Sequence, residues 1–260
     1  MKLEFEKYHG AGNDFVMIDD RDLNFPAGNE VLIRRICDRR FGVGADGLIL
    51  LQKHPSFDFK MVYFNADGKA GSMCGNGGRC VAAFAKSLGI IDHVTYFMAS
   101  DGAHEAIFTP SQISLKMQDV TEVEKIGTNY YLNTGSPHYV CFVEDVEKLD
   151  VLKEGRKIRY NNRFAKLGTN VNFVEITKTG LKVRTYERGV EDETLSCGTG
   201  VTAAALVACI KGIKRNAKQF VVLTKGGKLK VSFTSLANNS FSNIWLHGPA
   251  AFVYKGFYYF

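Results

Sequence analysis

The chain has 260 residues, of which 45% are hydrophobic and 23% are charged, a balance typical of a globular protein with one large domain or two medium ones. Its formal net charge is +6, but the Lys and Arg residues are scattered, so no basic patch predicts nucleic-acid binding. No apolar run is long enough to cross a membrane, and the N-terminus lacks the apolar centre of a signal peptide. We therefore expect a cytoplasmic protein with six free thiols, and no cysteine or histidine spacing predicts a metal site.

The first half of the chain mixes predicted strands with two predicted helices. Helical spacing of apolar residues predicts one helix at Glu30–Arg40, with Val31, Leu32, Ile36 and Cys37 on its buried side, and another at Cys80–Gly89. Apolar runs and alternation predict strands at Phe5–Tyr8, Phe15–Asp19, Leu48–Leu51, Phe57–Phe64, Val94–Phe97, Ala106–Phe108 and Ile113–Met117.

The second half repeats this mixture, with no Pro- or Ser-rich linker before it and a join expected near Met117–Val123. A polar helix is predicted near Val151–Ile158, and an apolar helix follows Cys197. Strands are predicted at Tyr139–Val143, Val171–Ile176, Leu181–Tyr186, Phe220–Leu223, Leu229–Phe233, Ile244–Leu246 and Ala251–Tyr254.

One cysteine-glycine motif occurs twice in the chain. Cys74-Gly-Asn-Gly-Gly precedes the second predicted helix, and Cys197-Gly-Thr-Gly precedes the last one. Two such copies suggest a duplicated unit. Because a helix N-terminus stabilises anions, each cysteine is positioned to form a reactive thiolate beside backbone N–H groups.

The other four cysteines have a simpler interpretation. Free cysteine is among the most buried residue types, and Cys80 and Cys209 lie inside predicted apolar helices. Cys37 and Cys141 fit the same structural role. Glycine-rich polar loops surround only Cys74 and Cys197, which we therefore expect outside this buried class.

Four stretches together resemble the motifs of the diaminopimelate epimerases. They are His9-Gly-Ala-Gly-Asn-Asp-Phe15, Phe64-Asn-Ala-Asp-Gly68, Met73-Cys-Gly-Asn-Gly-Gly-Arg-Cys80 and Glu187-Arg-Gly-Val-Glu-Asp-Glu-Thr-Leu-Ser-Cys-Gly-Thr-Gly200. The resemblance runs from end to end of the chain. Proline and hydroxyproline racemases and phenazine-type isomerases share the fold, but their second motif differs, and the phenazine-type isomerases lack the cysteine pair.

The resemblance implies an α+β fold of two pseudo-symmetric domains, each a mixed β-sheet wrapped around a central α-helix, with the active site in the cleft between them. The first domain is expected at 1–117, joined by a C-terminal strand near 249–260, and the second at 118–248. The implied reaction interconverts LL- and meso-diaminopimelate without pyridoxal phosphate or any other cofactor. We also expect a homodimer with no nucleic-acid or membrane partner.

The resemblance also implies a role for individual residues. Cys74 and Cys197 would exchange the α-proton from opposite sides, supported by His138 and Glu187. The developing carbanion needs strong stabilisation, which backbone N–H groups of Gly75, Asn76, Gly198 and Thr199 could supply by binding the α-carboxylate. The remaining substrate-binding positions are Asn13, Gly47, Asn65, Ser136, Asn170, Glu187 and Arg188.

Some of these positions have other interpretations. Asn13 and Asn65 could serve as ordinary turn caps. Arg188 corresponds to the family's arginine that binds the distal carboxylate, but it could instead form a surface ion pair. Gly47 and Ser136 depart from the family pattern, in which glutamine and asparagine often occur at these positions. Both positions would lie near the substrate, so these departures bear on the contacts to its distal end.

Three other functions compete with the epimerase. Gly42–Gly47 and Gly198–Ala203 both fit nucleotide-binding glycine patterns, which require a strand before the glycines. The first motif follows a predicted helix instead. The second follows an acid-rich segment predicted to be a loop, and it lacks the acidic residue expected about 20 residues later. Two reactive thiols would also suit a disulfide-exchange protein. Within the enzyme class, a racemase of another amino acid is the alternative.

Overall fold

The computed structural model describes residues 2–71, 73–213 and 217–260. The chain divides into two compact units, which we call unit 1 (Met1–Leu115 with Gly248–Phe260) and unit 2 (Lys116–His247). Within the described ranges there are four α-helices and seventeen strands, so the fold is α+β. No helix in these ranges has the length and apolar character needed to cross a membrane.

Unit 1 is a mixed sheet with two helices. Its elements in chain order are β1 (Lys2–Gly10), β2 (Asn13–Asp19), α1 (Glu30–Cys37), β3 (Gly47–Gln52), β4 (Phe59–Asn65), α2 (Gly75–Ser87), β5 (Val94–Ala99), β6 (Gly102–Phe108) and β7 (Ile113–Lys116). The pairs β1–β2, β3–β4, β5–β6 and β6–β7 are antiparallel, whereas β2–β3 and β4–β5 are parallel.

Unit 2 repeats this order of pairings. Its elements are β8 (Val123–Ile126), β9 (Asn129–Asn133), β10 (Pro137–Phe142), α3 (Val151–Arg159), β11 (Asn170–Ile176), β12 (Leu181–Glu187), β13 (Asp192–Thr194), α4 (Gly198–Ile210), β14 (Gln219–Thr224), β15 (Gly227–Ser235) and β16 (Phe241–Gly248). Successive pairs in the series β9, β10, β11, β12, β14 and β15 alternate between antiparallel and parallel in the same order as successive pairs from β1 to β6. The duplication predicted from the two cysteine motifs is therefore confirmed. The last strand, β17 (Ala251–Tyr259), pairs with β1 in unit 1.

The sheet in each unit wraps around one buried helix. In α2 the Cβ of a residue at Gly77 would lie 3.0 Å from Ile49 Cδ1 and 3.5 Å from Phe15 Cζ, so this helix packs directly on β2 and β3. Helix α4 is apolar on all sides, and Gly200 through Ala208 are buried. The other face of the unit 1 sheet packs against Leu32, Ile33, Ile36 and Cys37 of α1.

The predicted first helix differs from the observed one at its end. Helix α1 ends at Cys37 instead of Arg40, because Asp38 Oδ1 accepts hydrogen bonds from the N–H groups of Arg40 and Phe41 and turns the chain. Val31, predicted to be buried, is 65% exposed, and Ile33 takes the place expected of it in the core.

The second helix was predicted from Cys80 but begins at Gly75. Glycine is a poor helix former, so composition hides this turn. A Cβ at Gly78 would overlap Met73 Cε, and the absence of side chains lets the first turn approach its surroundings closely.

Three short strands were not predicted. The hairpin of β8 and β9 turns at Gly127, which has a φ of 62°. The acid-rich stretch before Cys197 contains β13, which pairs with β12, so interpreting it as a loop was wrong.

Candidate functional site

Cys74 and Cys197 are the N-caps of the two buried helices. Their backbones are alike, with φ and ψ of −112° and 121° at Cys74 and −110° and 111° at Cys197. Neither side chain caps its helix, whereas Asn29 and Asp150 accept hydrogen bonds from first-turn N–H groups of α1 and α3. Helices α2 and α4 also have no acidic residue in the first turn. Their first-turn N–H groups are therefore suited to an external anion.

Strand registers relate the candidate residues of the two units to one another. Phe15 pairs with Gly47 on β3, and His138 pairs with Asn170 on β11, so these pairs correspond. Continuing the registers matches six candidates of unit 1 with six of unit 2: Asn13 with Ser136, Gly47 with Asn170, Asn65 with Glu187, Cys74 with Cys197, Gly75 with Gly198 and Asn76 with Thr199. His138 matches Phe15 and Arg188 matches Ala66, so unit 2 alone has a histidine and an arginine at these places.

In unit 1 the candidates Asn13, Cys74 and Asn76 lie together. Asn13 Oδ1 is 3.5 Å from Cys74 Sγ and 3.4 Å from Asn76 Nδ2. Asn13 follows the two-residue turn Ala11-Gly12, whose φ values of 52° and 84° are both positive, as a type I′ hairpin turn requires. This tight turn places Asn13 at the start of β2.

Gly47 cannot contribute a side chain to the site, and Tyr63 occupies the space beside it. Gly47 pairs with Asn65, and a Cβ there would overlap Tyr63 Cε2 and lie 2.5 Å from the Phe64 carbonyl oxygen. A Cβ at Gly71 would lie 2.5 Å from Tyr63 Cε1. The aromatic ring of Tyr63 therefore packs between two glycines, in contact with Phe15.

Arg79 is fully buried at the first turn of α2. Its guanidinium donates to the carbonyl oxygen of Gly75 at 3.1 Å, to Asn76 Oδ1 at 2.7 Å and to the Pro249 carbonyl oxygen at 3.3 Å. All three acceptors are neutral. Burial lowers the pKa of Arg79, and the nearby thiols of Cys80 and Cys74 oppose that shift.

In unit 2, Cys197 lies beside Thr199 in the first turn of α4. The distance between Cys197 Sγ and Thr199 Oγ1 is 3.4 Å, and either atom can be the donor. Thr134 Oγ1 donates to the Thr199 carbonyl oxygen at 2.9 Å and ties the segment after β9 to the helix. Cys197 is only 7% exposed, so the prediction that it is not one of the buried cysteines was wrong.

Asn170 holds together the polypeptide segments around the unit 2 candidates. Its Nδ2 donates to Ser136 Oγ at 2.9 Å and to the Pro137 carbonyl oxygen at 3.0 Å. Its Oδ1 accepts from the backbone N–H of Arg188 at 2.9 Å. Both amide hydrogens are used within unit 2, so any direct bond from Asn170 to a ligand would use Oδ1.

His138 is completely buried and neutral at physiological pH. Burial, and then the charge of Arg188, lower its pKa to about 3. Asn172 Nδ2 lies 3.0 Å from His138 Nδ1. Because Nδ1 accepts, the proton is on Nε2, which has no hydrogen-bond partner in the described part of the chain. His138 thus presents an uncommitted donor.

Glu187 and Arg188 end β12 and begin the following turn. Glu187 Oε2 accepts a hydrogen bond from Thr194 Oγ1 at 2.8 Å. Arg188 is exposed, and one guanidinium nitrogen donates to the Leu167 carbonyl oxygen at 3.0 Å. The alternative of an ion pair for Arg188 has no support among the described residues, whose ion pairs do not include it.

The remaining thiols follow the predicted structural role in part. Cys37, Cys80 and Cys141 are buried, and burial raises the pKa of each, to about 12 for Cys37 and Cys141. Cys209, also predicted to be buried, is partly exposed. All six cysteines are free thiols, as predicted.

Sequence reasoning missed three residues that contact these candidates. Asn172 lies two residues after Asn170 and therefore on the same face of β11, a signal that strand periodicity offered. Asp46 accepts a hydrogen bond from Asn13 Nδ2 at 2.6 Å, although no sequence pattern points to it. Arg79 belongs to the quoted cysteine motif, but helical spacing alone did not reveal its burial.

Comparison with known proteins gives consistent results. A family model described as "Diaminopimelate epimerase" matches residues 5–104 and 130–253. The chain is 53% identical over 256 residues to the diaminopimelate epimerase of Flavobacterium psychrophilum, covering 97% of this chain and 99% of that one. It is 42% identical over 277 residues to the Aquifex aeolicus diaminopimelate epimerase, with 98% and 97% covered.

Solved structures share the fold at low sequence identity. A phenazine biosynthesis protein of the PhzF family from Bacillus anthracis aligns with a TM-score of 0.77 at 12% identity, covering 100% of both chains. A hydroxyproline epimerase from Agrobacterium vitis aligns with a TM-score of 0.71 at 16% identity, covering 98% of this chain and 92% of that one. At these identities the likeness concerns the fold alone.

Proposed function

The chain belongs to the diaminopimelate epimerase family, and we propose from this premise that it interconverts LL- and meso-2,6-diaminopimelate by inverting one α-carbon. It is an isomerase of amino-acid biosynthesis, on the route to lysine, and works without pyridoxal phosphate. The observation that carries the assignment to specific residues is the repeated N-cap cysteine, Cys74 on α2 and Cys197 on α4.

In the proposed mechanism the two cysteines act on opposite sides of the same α-carbon. One thiolate takes the α-proton as the C–H bond breaks, and the other thiol gives its proton to the opposite face. The enzyme then holds the reversed protonation pattern, ready for the reverse reaction. The uncapped first-turn N–H groups of α2 and α4 would bind the α-carboxylate and stabilise the carbanion's charge.

The remaining candidates have supporting roles in this proposal. His138 would use its Nε2–H, and Glu187 its carboxylate, to orient the acid–base pair. Arg188 is exposed at the end of β12 and would bind the distal carboxylate with its planar fork. Asn13, Asn65, Asn170 and Ser136 would supply neutral polar contacts, while Gly47 would contribute space alone.

The test is α-proton exchange. The purified protein is incubated with LL-diaminopimelate in D₂O, and ¹H NMR follows loss of the α-proton signal and appearance of the meso isomer. We expect exchange in the wild type and its loss in Cys74→Ser and Cys197→Ser. Cys209→Ser is the matched control, since Cys209 is also a thiol of α4 but lies far from the N-cap.

The same experiment separates the alternatives. Exchange at proline or another amino acid, but not at diaminopimelate, would contradict the proposed substrate. Disulfide reductase activity at a catalytic rate, without α-proton exchange, would favour a redox protein. Nucleotide binding without either activity would favour a binding module.

We also propose that the protein forms a homodimer through β17. Large apolar side chains on and next to this strand are exposed: Phe252, Val253, Tyr254, Phe257, Tyr259 and Phe260, from 37% to 70%. Such a patch on a long strand is typical of an interface. Sedimentation velocity of Val253→Glu should show a shift to monomer, whereas Leu167→Glu, at a residue 81% exposed elsewhere, should sediment as the wild type does.

A cytoplasmic location is part of the same proposal. Six free thiols are what a reducing compartment maintains. No nucleic-acid or membrane partner is required by a small dicarboxylate substrate. Fractionation of cells that express the protein should place the epimerase activity in the soluble fraction.

A further inference from the structure

The side-chain amide of Asn13 is oriented by a carboxylate. Asn13 Nδ2 donates to Asp46 Oδ2 at 2.6 Å, and the backbone N–H of Asp14 donates to the same oxygen at 3.1 Å. Arg39 pairs with Asp46 Oδ1 at 2.6 Å. A carboxylate only accepts hydrogen bonds, so the NH₂ group of Asn13 must face Asp46, and its carbonyl oxygen must face the opposite way.

A second charged group favours the same orientation through a longer contact. The guanidinium of Arg79 only donates, and it donates to Asn76 Oδ1 at 2.7 Å. Asn76 Nδ2 therefore faces away from Arg79 and lies 3.4 Å from Asn13 Oδ1. The charges of Asp46 and Arg79 thus agree that Asn13 presents its carbonyl oxygen toward α2.

That carbonyl oxygen lies 3.5 Å from Cys74 Sγ. Because a carbonyl oxygen cannot donate, this contact is favourable when the sulfur carries a proton and unfavourable when it is a thiolate. The positive charge of Arg79 acts in the opposite direction. The other titratable groups of this region are the buried Cys80 thiol, and Asp14 with its partners Lys7 and Arg39 behind Asn13.

Cys197 has a different neighbour. Its sulfur lies 3.4 Å from the hydroxyl of Thr199, which can donate a hydrogen bond to a thiolate. The residue that corresponds to Asn13 is Ser136, which accepts a hydrogen bond from Asn170 at 2.9 Å. The residue that corresponds to Asp46 is Thr169, so unit 2 has no carboxylate at this place.

We propose that Asp46 is a positioning residue that acts through Asn13 to keep Cys74 as the thiol of the pair, which leaves Cys197 as the thiolate of the ligand-free enzyme. This rests on the proposed function, since it assigns the two partners of that reaction. It makes the otherwise repeated cysteine sites inequivalent before substrate arrives.

The test is the pH dependence of alkylation at each cysteine. Iodoacetamide is applied over a range of pH, and peptide mass spectrometry gives the midpoint pH at which each thiol becomes reactive, a quantity that differences in access do not move. In the wild type the Cys197 midpoint should lie below that of Cys74. In Asp46→Asn only the 3.4 Å contact from Asn76 still favours the original orientation, so Asn13 can turn its NH₂ group toward the sulfur, and Cys74 should alkylate on the order of tenfold faster at pH 7.

Two controls separate this role from loss of structure or of charge. Asp20→Asn is the matched control, because the Asp20 carboxylate also accepts hydrogen bonds from one side-chain amide, that of Gln52 at 2.7 Å, and one backbone N–H, that of Phe25 at 2.8 Å. This variant should leave the Cys74 midpoint unchanged. Asn13→Leu, which removes the acceptor at similar volume, should lower the midpoint by itself. Adding Asp46→Asn to it should then change nothing further.

Several outcomes would overturn the proposal. A Cys74 midpoint below that of Cys197 in the wild type would reverse the assignment. An unchanged midpoint in Asn13→Leu, or an additive second shift in the double variant, would mean that Asp46 does not act through Asn13. Should Asp46→Asn fail to fold, Asn13→Leu still decides. No substrate is used, so α-proton exchange tests the proposed function separately.

Discussion

Asn172 donates a hydrogen bond from Nδ2 to Nδ1 of His138 across 3.0 Å, inside unit 2 and away from solvent. Thr185 Oγ1 donates to Asn172 Oδ1 at 3.0 Å, which fixes the amide in the orientation that presents Nδ2 to the imidazole. A Cβ at Gly200 would overlap Asn172 Oδ1, so the glycine of the cysteine motif leaves room for this contact. Asn172 thereby determines which nitrogen of His138 carries the proton.

The first prediction concerns that tautomer. In Asn172→Asp the new carboxylate cannot donate, so His138 must place a proton on Nδ1, and the neutral ring then loses its Nε2–H donor. We expect kcat to fall about 10- to 100-fold, with an added dependence on pH between about 6 and 8 because a carboxylate favours the imidazolium. The control is Asn161→Asp, since among the described residues Asn161 uses only its Oδ1, as an acceptor from the backbone N–H groups of Arg163 and Phe164. Wild-type kcat in Asn172→Asp would contradict the role.

The second prediction is sensitivity to mild acid. His138 has a folded-state pKa of about 3, below the ordinary value of about 6.5, so the unfolded chain takes up a proton first as the pH falls. The free energy of unfolding should therefore be unaffected above about pH 6.5 and decline as pH falls toward 3, by about 2 kcal/mol at pH 5 from this group. Urea titrations of the wild type and of His138→Asn, whose Oδ1 can replace Nδ1, would measure it.

A second histidine, His247, contributes to the same acid sensitivity. Burial and then the charge of Lys230 lower the pKa of His247 to about 4, so it contributes to the same acid window. His247→Gln should remove part of the slope, and the double variant should remove most of it. A slope that persists in the double variant would assign the acid sensitivity to carboxylates instead.

The third prediction concerns Gly47. In Gly47→Ala the added methyl group would overlap Tyr63 and the backbone oxygen of Phe64, and we expect the free energy of unfolding to drop by about 1–3 kcal/mol. Gly28→Ala is the control, since a Cβ there meets nothing within 4 Å, and it should change stability by less than about 0.5 kcal/mol. Equal stability of the two variants, measured by urea unfolding, would show that the surroundings of Gly47 at the start of β3 adapt freely.

The fourth prediction concerns the proposed binding of the distal carboxylate by Arg188. Arg188→Lys should lower kcat/KM for diaminopimelate about 10- to 100-fold at unchanged stability, because an ammonium cannot replace a bidentate fork. Arg163→Lys, at an exposed arginine paired with Glu124, should keep wild-type kcat/KM. If Arg188→Lys also retains it, Arg188 does not bind the substrate.

Much of the fold was predictable because its determinants are local. Strand alternation, the apolar character of α4 and the polar helix at Val151–Arg159 are properties of short windows of sequence. The duplication was visible in two cysteine-glycine motifs. Local rules failed in the glycine-rich first turn of α2, where composition misleads, and in β8, β9 and β13, which have only three to five residues and so give little periodicity to detect.

The sequence by itself therefore determined the family, the two N-cap cysteines and most of the elements that present them. Only the tertiary structure decided which side chains act on those residues: Asp46 on Asn13, Asn172 on His138 and Tyr63 beside Gly47. Asp46 is 33 positions from Asn13, and Asn172 is 34 from His138. A helix or strand period repeats over a few residues, whereas each of these contacts depends on the register between strands distant in the chain, and only the folded sheet establishes that register.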